Sequence, residues 1–380
     1  MLLGASFSSF SQQQPLATID EARSVNDTTV GIVFHFEDYY RRLIDDMSTE
    51  LDGEEPVRIV PIIGENHVQT IYDMLFLRGV DLGLVHADVL EYIKRFQGYE
   101  PTKRLITGLV ELYGESVAII ANDEFDSIQD LAGEPVNFGV VGKGADITAS
   151  LLFDTLDIQV RPVRLSLEEA LAKVKSGEIA AHVHTLEDPV DQLVALGPDD
   201  NVRLLPVPQT DGLLRIYNED EIVHEDFPNL LSKGESISSL SVSVMIASYN
   251  WRARDSFRYD KLSRFVNAFV ANFEQLQSDA YDPIWKTVSL EKDIPGVTRL
   301  PLMQQALDNR GRFAAELAER EVQERQQELA EKHERLTEQL NNRINETLGS
   351  GTEIEELERL LGELESLIDQ NNSTADAPID

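Results

Sequence analysis

The chain contains no cysteine, so it forms no disulfide and offers no thiolate as nucleophile or metal ligand. That absence suits both the cytoplasm and an oxidising periplasm, and so leaves the compartment open. Basic residues are scarce: 33 Lys and Arg stand against 68 Asp and Glu, a formal net charge of -35. No basic run occurs anywhere. Phosphate neutralisation needs clustered Lys and Arg, so nucleic acid is not an expected partner. No apolar run reaches membrane-spanning length. The chain also lacks a GxSxG elbow, an HExxH pair, a GxxxxGK[ST] loop and a GxGxxG fingerprint. Nothing in it marks a reaction.

What is present is ordinary in bulk and unusual in charge. An apolar fraction of 42% over 380 residues gives room for two domains and an appendage. The acids are spread along the whole length, and Arg outnumbers Lys. Dispersed acids read as a solvated surface suited to high salt, where self-repulsion is screened, ahead of a lure for cationic ligands. Residues 1–27 form a polar leader expected to be disordered. Its stretch Ala5-Ser6-Phe7-Ser8-Ser9 resembles the end of a signal peptide, without a basic or full apolar region before it.

From Thr28 the pattern is α/β. Val30–His35 reads as a strand, followed by a helix around 37–50. Val57–Ile63 is a β-branched run of buried-strand type, turned by Gly64-Glu65-Asn66. Ile71, Met74, Leu75 and Leu77 recur at helical spacing, and Asp81–Val85 is a second strand ending in His86-Ala87-Asp88. Such a unit forces parallel strands and a right-handed crossover. Ligands of open α/β sheets bind beyond the carboxyl ends of strands. Further strands are expected at 105–110 and 117–121, with 111–115 turning between them, and at 136–140, 179–183, 202–205 and 240–247. Helices are expected at 88–98, 146–156, 167–176 and 258–278. The arrangement implies two lobes: 28–121 with 246–305, and 122–245 including the strands that cross between them. Two crossings permit hinge closure over a cleft.

From Leu307 glycine and proline nearly vanish. Val322, Leu329 and Leu336 lie seven apart, and the chain breaks at Gly349-Ser350-Gly351. Thr352 and Glu355 form a capping box, and Ile354, Leu357, Leu361, Leu364 and Ile368 follow a heptad. Residues 306–370 therefore read as a helical hairpin or coiled coil, a possible homo-oligomer contact, with a disordered tail at 371–380.

The candidate ligand contacts fall at strand ends and one loop. His35, His67, His86, His182 and His184 are five of the seven histidines, all at or just after predicted strand ends. Glu37, Glu65 and Asp88 stand beside them. A metal site on these groups is an alternative that no strong ligand spacing supports. The loop Gly142-Lys143-Gly144-Ala145 precedes a helix, so its N–H groups and the helix dipole suit an anion, and Lys143 adds charge. Asp146 could instead cap that helix. Asn66 and Thr148 complete the polar set. Tyr39, Tyr40, Tyr72, Tyr113 and Tyr217 could line a pocket, although most read as amphipathic rim residues.

The ordered segments VRIVPIIGENHVQTIYDML, GVDLGLVHADVL, SIQDLAGEPVNFGVVGKGADITASLLF and ALAKVKSGEIAAHVHTLEDPV resemble the TAXI-type solute receptors of TRAP transporters. The likeness runs over about residues 28–300. It implies a two-lobed type II periplasmic-binding-protein fold, no enzymatic activity, no cofactor and an extracytoplasmic location. It also implies capture of a small organic acid or amino acid for membrane transporter subunits. His35, Glu37, Tyr39, Asn66, His67, His86, Asp88, Gly142–Ala145, Thr148 and His184 would line the cleft. The chain departs from the family at two loops. The usual Gly/Thr-rich first loop is His35-Phe36-Glu37-Asp38-Tyr39-Tyr40, and the usual GSGT is Gly142-Lys143-Gly144-Ala145. Ligand identity therefore does not carry over. The helical extension lies outside the likeness, which leaves a ligand-sensing or interaction module of the same fold as the rival reading.

Overall fold

A computed structural model describes residues 28–35, 38–51, 57–186 and 191–347. The leader, Glu37, the capping box and heptad after Gly349, and the tail lie outside the described residues. The chain divides into two compact units after Leu307.

The first unit is built on one curled sheet. Its strands are β1 (Thr29–His35), β2 (Arg58–Gly64), β3 (Leu82–His86), β4 (Ile106–Asn122), β5 (Pro135–Asn137), β6 (Arg161–Val163), β7 (Ala181–Leu186), β8 (Val202–Leu205), β9 (Asn218–Val223) and β10 (Ser236–Tyr249). They run in the order β2-β1-β3-β10-β4-β7-β5-β6, with β8 also on β4 and β9 also on β10. The main helices are α1 (Asp38–Glu50), α2 (His67–Phe76), α3 (Val89–Gln97), α4 (Gly144–Thr155), α5 (Leu167–Lys175), α6 (Ser256–Ala271) and α7 (Pro301–Thr347).

Strands β1, β2 and β3 are parallel, as a βαβ crossover requires. Strand β10 returns late in the chain and inserts antiparallel between β3 and β4. The long strands β4 and β10 each serve both lobes. Residues 106–116 of β4 pair with 241–249 of β10 in the first lobe. Residues 116–121 of β4 then pair with β7, and 119–122 also with β8, in the second. The start of β10, residues 236–241, pairs with β9.

Two expectations from sequence are corrected here. Residues 111–115 do not turn: β4 runs unbroken through them, paired to β10, with bulges where the register passes over Leu112 and Leu109. Bulges bend and twist a strand without ending it. Gly114 is needed for the close approach of the two strands, because a Cβ there would stand 2.1 Å from Ser241 Oγ. Strand β2 is not buried on both faces. It is the sheet edge: Val57 and Ile59 are buried, whereas Ile63 is 66% exposed. Pro61 fits there, since an edge strand has one side on which no N–H is needed.

Three apolar clusters hold the unit. One packs α1, α6 and the segment around Trp285 on the first lobe, through Tyr40, Leu43, Phe265 and Phe269. A second fills one face of the second lobe around Leu171, Val174 and Phe227. The third contains residues of both lobes, including Val85, Leu90 and Ile93 with Ile147, Leu151 and Phe153. Helix α7 begins at Pro301, whose missing N–H costs nothing at a helix start. It runs unbroken for 47 residues, longer at its front end than the composition change at Leu307 suggests.

Candidate functional site

The carboxyl ends of β1 and β3, the start of α2 and the start of α4 converge on one polar seam between the lobes. His35 closes β1, His67 opens α2 and His86 closes β3. Their rings form a row: His35 meets His67 edge-on at 4.3 Å between centroids, and His67 stacks on His86 at 4.2 Å. Tyr40 meets the other side of His35 at 5.0 Å. All four side chains are buried. The His86 N–H points to His67 Nδ1 at 3.4 Å, which assigns the acceptor role to that nitrogen. Burial, reinforced by His86, His35 and Lys143, holds His67 well below the usual histidine range, so it is neutral near pH 7.

The second lobe meets this row through two glycines. A Cβ on Gly142 would stand 2.8 Å from Asn66 Cγ, and one on Gly144 would stand 2.4 Å from His86 Cε1. Only glycine lets the loop come this close. Gly142 also has φ +77°, a left-handed backbone that favours glycine independently. Asn66 caps α2, its Oδ1 accepting from the N–H of Gln69 at 2.9 Å. Asp146 does not act as the N-cap. It sits in the first turn of α4, accepts from the Gly142 N–H at 2.9 Å and pairs with Arg164 at 2.7 Å. The Gly142 N–H is therefore already engaged, and the leading N–H groups of α4 belong to Gly144, Ala145 and Asp146.

Asp88 lies at the centre of the seam. Its Oδ2 accepts from Thr148 Oγ1 at 2.8 Å and from the Tyr217 hydroxyl at 3.0 Å. Desolvation raises the Asp88 carboxyl, and raises Tyr217 well above its ordinary value. Glu115, on β4, places Oε2 2.9 Å from His86 Nε2, both side chains fully buried. The two form an ion pair when His86 is protonated, and the His86 charge also acts on Asp88. At the seam's edge Arg95 of α3 bonds Glu91 at 2.7 Å, Asp154 at 3.0 Å and Thr155 at 2.9 Å, tying α3 to α4.

The structure thus brings His35, Asn66, His67, His86, Asp88, Gly142, Lys143, Gly144, Ala145 and Thr148 to one seam. Tyr39 lies on α1, half-buried, its ring edge-on to Tyr113 at 5.0 Å. His184 is grouped elsewhere. It lies on β7 with His182, rings 5.4 Å apart, and His182 Nδ1 meets Asn137 Nδ2 at 2.9 Å. Glu37 lies outside the described residues. Tyr40 and Tyr217 are fully enclosed rather than rim residues. Sequence reasoning missed Glu115, because Gly114 beside it reads as a turn. Among the described residues no three His, Cys, Asp or Glu side chains converge as a metal-ligand set.

No family model matches the chain. No curated protein matches it either. Solved structures do. The periplasmic VFT2 domain of Bordetella pertussis BvgS is similar over 72% of this chain and 99% of that one, at 11% identity and a TM-score of 0.39. An ancestral arginine-binding protein bound to arginine covers 68% and 97%, at 14% identity and a TM-score of 0.38. A periplasmic transporter structure covers 74% and 93%, at 13% identity and a TM-score of 0.41. At such identities no residue's role transfers. The architecture stands on the chain's own topology: two α/β lobes, joined by two shared strands, with β10 antiparallel inside an otherwise parallel first-lobe order. It is a two-lobed periplasmic-binding-protein fold.

Proposed function

We propose that this chain is a non-enzymatic, extracytoplasmic solute-binding protein of the TAXI type. It closes its lobes over a small organic acid or amino acid and delivers it to a TRAP-type secondary transporter. The observation that carries the reading is the cross-lobe contact at the strand ends. Asn66, His86 and Asp88 on one side meet Gly142, Gly144 and Thr148 on the other. The polar groups stand where open α/β sheets bind ligands, on two lobes whose connection is two strands. A carboxylate would take the leading N–H groups of α4 and Lys143, with Asn66 and Thr148 completing its shell.

Thermal unfolding against pools of carboxylic and amino acids tests the proposal. A solute at 100 times its dissociation constant adds about 2.7 kcal/mol of apparent stability. The expected result is an upward shift with at least one pool. No shift with any small acid or amino acid sinks the reading. The helix that runs from Pro301 into the second unit favours one rival, a sensor or interaction module engaging a partner through that unit. A chain ending at Leu307 that keeps its ligand affinity and its mass in solution speaks for transport. Loss of a dimer on truncation speaks for the rival.

A further inference from the structure

Acids outnumber bases 68 to 33 in this chain, but residues 69–79 and 92–104 invert the balance, with five Lys and Arg against two acids. One of those acids, Asp73, is buried and accepts from Gln69 Nε2 at 2.8 Å. The two segments meet in space: the Tyr72 hydroxyl of α2 donates to Gln97 Oε1 at the end of α3. Burial, and then the nearby Tyr99, raises that hydroxyl above its ordinary value. The same place leaves three large apolar side chains open: Phe76 is 66% exposed, Leu77 52% and Phe96 46%. Phe76 stacks on Tyr72 at 6.1 Å between centroids, and Phe96 leans on Tyr92 at 5.1 Å. Helix ends therefore hold these rings. Of the five cations, Arg95 and Lys103 are engaged by Glu91, at 2.7 and 2.6 Å. Arg78, Lys94 and Arg104 differ: among the described residues no carboxylate pairs with any of them. Arg78 and Arg104 are exposed and Lys94 is half-buried. Arg104 sits on the helical turn Thr102–Leu105, which packs against α3.

We infer that this patch is a peripheral contact with an anionic lipid surface. Phe76, Leu77 and Phe96 enter the headgroup boundary, and Arg78, Lys94 and Arg104 meet lipid phosphates. The inference stands apart from the solute-binding reading, because no residue of the seam takes part. The sign of the local charge chooses the occupant. A second copy of the chain would set the same cations against each other and bring together two molecules of formal charge -35. A lipid surface supplies counter-charge in a plane and asks no matching shape of the patch. The acidity elsewhere then acts on orientation. At physiological salt the screening length is about 8 Å, so only the part of the protein nearest the lipid feels its charge. Acidic faces are turned away, and the acid-poor patch is free to approach.

Vesicle flotation with the full chain tests this. The probes are vesicles of phosphatidylcholine alone and vesicles of equal parts phosphatidylcholine and phosphatidylglycerol. The expected result is partitioning onto the phosphatidylglycerol vesicles at least tenfold stronger than onto phosphatidylcholine at about 0.1 M salt, and lost at about 1 M. Two double variants separate the two contributions. Phe76→Ser with Phe96→Ser removes apolar surface and keeps the charge; Arg78→Gln with Lys94→Gln does the reverse. Each should weaken partitioning at least tenfold while circular dichroism shows the fold unchanged. The comparison of vesicles and of salt on the unaltered protein keeps the test valid if a variant misfolds. Partitioning onto neither vesicle, equal partitioning onto both, or unchanged partitioning in both variants overturns the inference. So does a dimer in solution that Phe76→Ser with Phe96→Ser dissociates, since the patch is then a contact between copies. Solute binding is untouched by any of these outcomes.

Discussion

Gly144 is a residue whose value lies in what it lacks. It is the first residue of α4 and its φ is not in the left-handed region, so alanine fits the local backbone. The penalty comes from across the seam, where the new Cβ would stand 2.4 Å from the His86 ring. Gly144→Ala is therefore expected to hold the lobes apart, with at least a tenfold loss of ligand affinity and little change in helix content. Titration calorimetry and small-angle scattering read both; unchanged affinity would show that the two residues do not meet in the bound form. His182 gives a prediction in pH. Burial, with His184 beside it, lowers it from 6.5 to about 3. The unfolded chain binds the proton first, so stability is full above about pH 6.5 and falls by roughly 1.4 kcal/mol per unit as pH drops towards 3. His67 acts in the same direction, whereas Asp88, raised by burial, gives stability that is lost as pH rises through its folded value. Urea midpoints between pH 7 and 4.5 should show a shallower acid slope in His182→Gln than in the unaltered chain. At this scale the seam was largely legible. Asn66, His86 and Thr148 follow from the rule that strand ends face the ligand. Glu115 was not, because a Glu flanked by glycine has the composition of a turn. His184 stands on β7 beside His182, apart from the histidine row, since a place at a strand end does not say which strand ends meet.

The strands show where local pattern stops being informative. Strand β4 carries Glu111, Gly114 and Glu115 in its middle, which by composition alone argues for a loop. It is a strand because β10 lies beside it and takes its backbone hydrogen bonds, a partner more than a hundred residues away. Strand β9, Asn218–Val223, escaped notice for a related reason. Its six residues include three acids, and only Ile222 is buried. Such a strand is formed by its neighbour β10, and its charges discourage further pairing at an edge. The β4–β10 crossing is testable through the pair Gly114 and Ser241. Gly114→Ala alone should cost about 1–3 kcal/mol by overpacking. Adding Ser241→Ala removes the oxygen 2.1 Å away and leaves a Cβ at 3.3 Å. The double variant should recover at least half of the loss, and simple additivity in denaturant melts would refute the crowding.

The whole chain carries a formal net charge of -35, and no count of ion pairs removes it. Its acids repel one another wherever they are not matched. Raising salt from 0.1 M to 1 M shortens the screening length from about 10 Å to about 3 Å. The melting temperature should rise with sodium chloride over that range; a flat or falling curve would mean that the surface charge does not limit stability. At this scale the two-lobed plan was readable, because alternation of strand and helix implies a parallel sheet and a return segment implies a second crossing. The length of α7 was not, since helix propensity continues upstream of any change in composition.

One feature of the seam governs time as well as affinity. His86, Asp88 and Glu115 are sealed from water while the lobes are together. On the solute-binding reading proposed above, a solute does not reach them by collision alone; it waits for the lobes to part. Capture then has a ceiling that belongs to the protein rather than to the solute. As concentration rises, the rate of uptake climbs and then levels off at the frequency with which the seam opens. Release is governed by the same door. On that reading, whatever separates Thr148 from Asp88 sets both how quickly the protein fills and how long it keeps its cargo.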